Sequence, residues 1–285
     1  MALRIFMTGS GGIVGRHVVK ALCEATPAPE VIRNAADLTD PAETRRAVER
    51  AGKIDLVIHL AAMVPVDAVA ADPARAFTVN VSGTINLLAA LTDTPAGVLL
   101  CSSAHVYAPS AEPLREDART VPQSLYGRTK LMAEQAAREI CTGSGRRLCI
   151  ARLFSIHDPD QRGSYLRPAL LRRFASLSPG EEMTLEGGNS LRDFLPASRA
   201  GALLAKLAMR GTEGTVNVAS GKATRVADFA RTLAPFPLNI TPTGDARHLI
   251  ADVTRLHKLL GETNDHDGID HHPDLQSLGH AAPSH

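Results

Sequence analysis

An apolar run, Leu3-Arg4-Ile5-Phe6-Met7, is followed by Thr8-Gly9-Ser10-Gly11-Gly12-Ile13-Val14-Gly15, after which apolar residues recur at helical spacing through 12–24. Glycines 9, 12 and 15 thus stand at a strand-to-helix junction in a G-x-x-G-x-x-G spacing. Such a junction needs a tight turn, backbone close to whatever binds there, and a helix packed near its strand; side chains would obstruct all three. The helix start offers free N–H groups and a partial positive charge to an anion such as a pyrophosphate. Taken alone, the spacing also fits an ordinary strand–helix turn. Its weight comes from the chain that follows.

Strand-length apolar runs alternate with helical patterns. Val31-Ile32 is a short strand and 42–51 a charged helix. Runs 56–60 and 97–101 are continuously apolar, with a helix around 80–91 between them. A helix over 126–141, a buried strand over 148–154 and a further strand at 216–219 complete the pattern. Apolar strands separated by helices predict an α/β fold, a doubly wound parallel sheet of Rossmann type covered on both faces, with ligands at the carboxyl ends of the strands. Beyond about residue 155 the alternation weakens. The expected division is a dinucleotide-binding domain over 1–155 plus about 193–220, and a smaller C-terminal α/β substrate-binding cap over 156–192 and 221–263. Residues 264–285 carry five histidines among Asp, Gly and Pro. No metal-cage spacing occurs among them, so a flexible tail is expected and no metal site.

The 285 residues, 44% hydrophobic and 21% charged, suit a globular protein with a sizeable core. A net charge of +1 gives no footing for nucleic-acid or membrane-surface binding. No apolar run approaches the roughly 20 residues of a membrane span. Cys23, Cys101, Cys141 and Cys149 are scattered, with no CxxC pair. They are expected as free thiols in a reducing compartment, and the expected location is cytoplasmic.

The usual partner of such glycines is an acidic residue about 20 positions on, which accepts from the adenosine ribose. Here Arg33 stands at the end of Val31-Ile32. An arginine there suits a 2′-phosphate, which a carboxylate would repel, so the expected cofactor is NADP(H), with NAD(H) the alternative. Arg16, next to Gly15, is a second candidate contact, and Asp37 is available to the adenine amino group.

Two further runs, Cys101-Ser102-Ser103-Ala104-His105-Val106-Tyr107 and Tyr126-Gly127-Arg128-Thr129-Lys130, place Tyr and Lys four apart on one helix face. With the glycines, the chain resembles the extended short-chain dehydrogenases/reductases, the family of sugar-nucleotide epimerases, dehydratases and 4-keto reductases. The resemblance spans nearly the whole chain: DLTD at 37–40, HLAA at 59–62, NVSGTINLL at 80–88, ARLF at 151–154, RDF at 192–194, NVASG at 217–221 and ADVTRLHKLLG at 251–261. It implies that Tyr126 exchanges the proton at the substrate oxygen, that Ser103 hydrogen-bonds that oxygen, and that Lys130 holds the nicotinamide ribose. A tyrosine titrates near ~10, so the ammonium of Lys130 and the nicotinamide ring are expected to favour the phenolate. The cofactor is expected against Gly9, Gly11, Gly12, Ile13, Gly15, Arg16, Arg33, Asp37, Leu38, Leu60, Ala61, Ala62, Asn80, Ser102, Tyr126 and Lys130. The substrate is expected against Ser103, His105, Tyr126, Ser155, Tyr165 and Arg192.

Within the family, dehydratases carry Asp-Glu where this chain has Ala104-His105, which argues against a dehydratase. The segment 167–174 resembles GDP-fucose synthases, but His105 and Tyr165 stand in place of their epimerising cysteine and histidine. His105 is therefore either a proton-exchanging residue or a hydrogen-bonding one; it is also similar to the Ser-x-His-Val of uronate dehydrogenases. The family's Arg-x-x-Asn-Val-Tyr-Gly-Pro reads here Arg152-Leu153-Phe154-Ser155-Ile156-His157-Asp158-Pro159, with Ser155 in place of a substrate-contacting asparagine. Arg192 matches an arginine that binds the substrate diphosphate; an ion pair with Asp193 or another carboxylate is the alternative. The resemblance points to an NADP(H)-dependent oxidoreductase that reduces the 4-keto group of a nucleotide-linked 6-deoxyhexose. The alternative is an NAD(P)-dependent sugar-nucleotide 4-epimerase, ahead of a uronate-type dehydrogenase or a non-catalytic dinucleotide-binding relative. A homodimer pairing the helices at 80–91 and 126–141 is expected.

Overall fold

The computed structural model describes residues 2–261. Six strands form one parallel sheet: β1 (Arg4–Thr8), β2 (Glu30–Arg33), β3 (Leu56–His59), β4 (Gly97–Ser103), β5 (Leu148–Leu153) and, from later in the chain, β9 (Gly214–Val218). Their order is β2-β1-β3-β4-β5-β9. Between them run α1 (Ile13–Cys23), α2 (Pro41–Ala51), α3 (Val66–Ala71), α4 (Pro73–Phe77), α5 (Gly83–Ala90) and α6 (Leu125–Gly143). A π-helical turn, Thr78–Ser82, joins α4 to α5, where the sequence suggested one uninterrupted helix from residue 80.

Alternate residues of a strand face opposite ways, so a fully apolar strand can be buried only if both faces of its sheet are covered. Ile5, Met7, Ile58 and Leu99 face one side, against Val18 and Leu22 of α1. The same side carries α8 (Ala197–Met209) and α10 (Thr254–Leu260). Phe6, Val57, Val98 and Leu100 face the other side, against Val48 of α2, Leu87 and Leu88 of α5, and Ala137 of α6. Each fully buried Leu, Ile or Phe contributes about 1.5–3 kcal/mol to folding.

The chain leaves the main sheet after β5, one residue earlier than the sequence suggested. β6 (Ser155–His157) joins a second sheet of order β10-β8-β6, with β8 (Leu191–Pro196) and β10 (Ala223–Arg225). The remaining elements are α7 (Leu166–Phe174), α9 (Val226–Leu233) and the parallel pair β7 (Glu182–Glu186) and β11 (Asn239–Thr243), which share their own small core around Leu170, Phe174, Met183 and Ile240. The cap expected over 221–263 includes α10, yet Leu256 and Leu260 of that helix pack on the main sheet with α1 and α8. The expected tail at 264–285 lies outside the described residues.

In the main sheet β1 has β2 on one side and β3 on the other. The strand order reverses there, and the crevice at the carboxyl ends of β1 and β3 is where such sheets bind ligands. Helices α1 and α8 cross closely at Gly201, where an added Cβ would lie 2.5 Å from His17 Cβ. Gly201→Ala overpacks this crossing and is expected to cost about 1–3 kcal/mol, read as a Tm lowered by several degrees in a thermal unfolding scan.

Candidate active site

The crevice is shaped by glycines. Gly9 has φ +70°, and a Cβ on it would sit 2.6 Å from the Ala61 nitrogen and 2.7 Å from the Leu60 carbonyl carbon. The loops after β1 and β3 therefore touch backbone to backbone. A Cβ on Gly15 would lie 2.1 Å from the Gly9 oxygen, so the third glycine lets α1 start against the loop that feeds it. Gly11 and Gly12 are exposed; α1 has no side chain capping its N-terminus and no acidic residue in its first turn, and Ile13 opens it. This start can take a phosphate.

A chain of hydrogen bonds fixes the far wall. Thr84 Oγ1 donates to the Asn80 carbonyl oxygen (2.8 Å) and accepts from His59 Nε2–H (3.0 Å). Nδ1 of that ring then accepts from Thr8 Oγ1–H (2.6 Å), which in turn accepts from the Ala61 N–H (3.2 Å). His59 is 3% exposed, and burial, reinforced by the charge of Lys130, pushes its pKa down to about 3. It is a neutral strut between β1, β3 and α5. Asn80 is buried in the π-helical turn; its side chain accepts from Met63 N–H (2.7 Å) and donates to the Met63 oxygen (3.0 Å) and Thr129 Oγ1 (3.0 Å). It positions the loop that begins at Leu60, Ala61 and Ala62, and ties it to α6.

On the opposite wall, Ser103 ends β4 and its Oγ accepts from His105 N–H (3.2 Å). Ser124 caps α6 by accepting from Gly127 N–H (3.1 Å). A Cβ on Gly127 would lie 2.1 Å from the His105 carbonyl oxygen, so this glycine lets α6 begin against the turn after β4. Tyr126 and Ser103 are thereby brought within hydrogen-bonding reach. The buried pair Arg152–Glu134 (3.0 and 2.7 Å) anchors the next turn of α6 to β5. Lys130, 5% exposed, makes no hydrogen bond among the described residues, and burial lowers its pKa. Ser102 Oγ is buried and likewise unpartnered. A buried hydroxyl without a partner costs stability unless a ligand satisfies it, and Ser102 stands near the carboxyl end of β4. The glycine cradle, Lys130 and Ser102 fit a dinucleotide.

Burial raises the pKa of Tyr126 first, Cys101 adds to it, and the Ser103 hydrogen bond opposes them. Without the nicotinamide ring, whose charge the expected lowering also invokes, desolvation is the largest influence on this phenol and raises its pKa. Cys101, expected from the sequence only as a free thiol, is free and lies close enough to influence Tyr126. His105 stacks edge-on to Tyr126, ring centroids 5.6 Å apart, and burial with the charge of Arg192 pushes it down to about 4. It is neutral at pH 7. Arg192 bonds the carbonyl oxygens of Leu191 and Arg247. Asp193 is taken by Ser220 N and Oγ and Gly221 N (2.7, 2.6 and 2.7 Å), so the alternative Arg192–Asp193 pair does not form. Arg247 and His248, which sequence reading overlooked, stand beside Arg192, and the charge of Arg247 adds to burial in lowering the Arg192 pKa. Among the described residues no carboxylate bonds either guanidinium. Tyr165 precedes α7 and is half-buried, close enough for its charge to be felt at Tyr126; Ser155 lies on β6 beside Phe194.

At the adenosine end, Arg33 is exposed at the tip of β2 and makes no side-chain bond among the described residues. Asp37 Oδ1 accepts from Thr39 N–H and Oγ1–H, both 2.9 Å, and Leu38 is buried beneath it. Arg16 does not reach toward Arg33: it is bonded to Asp158 and Asp160.

A sequence profile of the NAD-dependent epimerase/dehydratase family matches residues 5–219. The chain belongs to this family. As a family member it is an enzyme of a class that works with a nicotinamide dinucleotide, and the cradle described above suits one. It is 32% identical over 250 residues to a GDP-6-deoxy-D-mannose reductase of Pseudomonas aeruginosa, covering 82% of this chain and 80% of that protein. It is 30% identical over 309 residues to a UDP-glucose 4-epimerase of Azospirillum brasilense, covering 94% and 89%. The solved structure of RMD from Pseudomonas aeruginosa complexed with NADPH superposes with a TM-score of 0.81 at 27% identity, covering 92% of this chain and 93% of that one.

His59 and His105 give this family member a pH signature. Both have folded pKa values below the unfolded ~6.5, so the unfolded chain takes up the protons first. Their contribution to stability is complete above about pH 6.5 and is lost as pH falls toward the folded values, by on the order of 1.4 kcal/mol per pH unit for fully buried His59. Urea unfolding between pH 7 and 4.5 is expected to show this slope, and His59→Gln to flatten it.

Proposed function

We propose that this protein is an NADP(H)-dependent reductase acting on the 4-keto group of a nucleotide-linked 6-deoxyhexose. The observation that carries the reading is a buried Tyr126 beside Ser103, one helical turn from a buried Lys130 that makes no hydrogen bond among the described residues. When bound, the reduced nicotinamide supplies a hydride to the carbonyl carbon. Tyr126 gives its phenolic proton to the carbonyl oxygen, and Ser103 hydrogen-bonds that oxygen as charge develops on it. Lys130 holds the ribose and offers positive charge to the phenolate left behind. His105, neutral and packed on the tyrosine ring, bonds the sugar rather than serving as an acid. Arg192 and Arg247, two guanidinium groups that no carboxylate bonds among the described residues, supply the charge that a diphosphate needs. Arg33 takes the adenosine 2′-phosphate and Asp37 the adenine amino group. The similarity to a GDP-6-deoxy-D-mannose reductase supports reduction as the net reaction.

The similarity to a UDP-glucose 4-epimerase favours a second reading, in which one carbon is oxidised and reduced again on a retained cofactor. A reductase consumes one NADPH per product; an epimerase consumes none. Exposed apolar side chains on α5 (Ile85, 38%) and α6 (Met132, 43%) support pairing of those helices with a second copy. The four free cysteines support a cytoplasmic setting.

Tyr126→Phe is expected to lower turnover by about 10²–10⁴-fold with NADPH affinity retained, measured by absorbance at the nicotinamide band and by fluorescence titration. Unchanged turnover refutes the assignment. Arg33→Asp is expected to weaken NADPH by at least about tenfold more than NADH; equal loss of both would remove Arg33 from the 2′-phosphate.

A further inference from the structure

Of the motif with which segment 152–159 is compared, Arg152 and Pro159 are kept, and Asp158 stands at the place of its glycine. The carboxylate is 3% exposed. Its Oδ1 accepts from Arg16 and from Asp160 N–H (2.8 Å), and its Oδ2 from His17 Nε2 (2.7 Å). Arg16 also reaches Asp160 (2.7 Å). Burial alone would raise the Asp158 pKa, but the bonds from His17, Asp160 and Arg16 hold it below the usual carboxylate range. The donors belong to the first turn of α1, directly after Gly15, and the acceptors to the segment between β6 and α7, which carries Tyr165 at its end. Among the described residues, α1 is ion-paired to this segment by Arg16 with Asp158 and Asp160 and by His17 with Asp158. A glycine could make none of these side-chain bonds.

We propose that Asp158 is a positioning residue: it ties the substrate-side segment 158–165 to the first turn of the cofactor helix, and holds the Arg16 guanidinium on that segment instead of leaving it to the cofactor phosphates. The inference rests on the reading of α1 as the helix that receives the dinucleotide. Two consequences of opposite sign follow. Cofactor binding steadies the first turn of α1, and the tether passes that order to Tyr165, so the substrate wall is firm when the dinucleotide is in place. The cost is borne by cofactor affinity, because a cation one turn from the pyrophosphate is neutralised by two carboxylates. A residue that merely stabilised the fold would, when removed, weaken both sites together.

The test compares wild type, Asp158→Gly and Asp158→Asn by amide hydrogen exchange and NADPH fluorescence titration, neither of which needs the sugar substrate. In wild type, NADPH is expected to slow exchange in the first turn of α1 and at 160–165. In Asp158→Gly the amides of 160–165 exchange about tenfold faster or more and no longer respond to NADPH, whereas α1 still does. NADPH meanwhile binds about three- to tenfold tighter, since Arg16 keeps one carboxylate partner, Asp160, instead of two and is freer to turn toward the phosphates. Asp158→Asn, which keeps the size but not the charge, shifts both readouts the same way to a smaller extent and serves if the glycine variant does not fold. Exchange at 160–165 like that of wild type, or NADPH bound more weakly in both variants, overturns the proposal. Absence of any NADPH binding to wild type would instead overturn the cofactor reading; the exchange difference at 160–165 without nucleotide would still decide the tether.

Discussion

The site depends on one constraint, the close approach of two loops at the point where the strand order reverses. Gly9 lies with its α-carbon against the backbone of Leu60 and Ala61, and no side chain could stand between them. The contact is locked by a relay running from the Ala61 amide through Thr8, His59 and Thr84 to the Asn80 carbonyl, in which each hydroxyl accepts one bond and donates the next and each ring nitrogen has a single role. Because the donors and acceptors alternate without a gap, the ring is fixed in one tautomer and stays neutral. A charge at His59 would break the relay and stand beside the Lys130 ammonium.

From that point the two walls of the crevice are assembled by different forces. One wall is backbone, glycines and a bare helix start, whose N–H groups and helix dipole suit a phosphate. The reaction side is side chains held by burial: α6 is pinned at Ser124, at Gly127, through Thr129 to Asn80, and through Glu134 to Arg152. This pinning puts the phenol, the serine hydroxyl and the amine on one short stretch of wall. The burial that raises the tyrosine pKa also lowers that of Lys130, which makes no hydrogen bond among the described residues.

The cationic corner behind the reaction side obeys a different rule. Arg192 is satisfied by carbonyl oxygens and neighboured by Arg247, while the adjacent Asp193 turns away to bind the Ser220–Gly221 backbone. Among the described residues no carboxylate bonds either of these two like charges, and such a pair suits an anion or water between them. Asp158 shows the reverse arrangement, a buried carboxylate with cations drawn onto it, and it lies where the chain passes from cofactor helix to substrate loop.

The alternation of apolar strands and helices determined the doubly wound sheet, because a strand that is apolar on both faces has no stable place except between two helical layers. Glycine spacing likewise determined the phosphate cradle, and the Tyr-x-x-x-Lys pair placed two groups on one helix face, since both are matters of local geometry. Tertiary structure alone decided the rest. His59 reads in sequence as the end of an apolar strand; only Thr8 and Thr84, brought from 51 and 25 residues away, make it a neutral strut. Arg16, next to the last glycine, looked like a phosphate ligand until the fold set Asp158, 142 residues on, within reach of it. The protonation of Tyr126 was likewise undetermined by its neighbour at i+4, because desolvation depends on everything that surrounds a group, and what surrounds it comes from strands and loops distant in sequence.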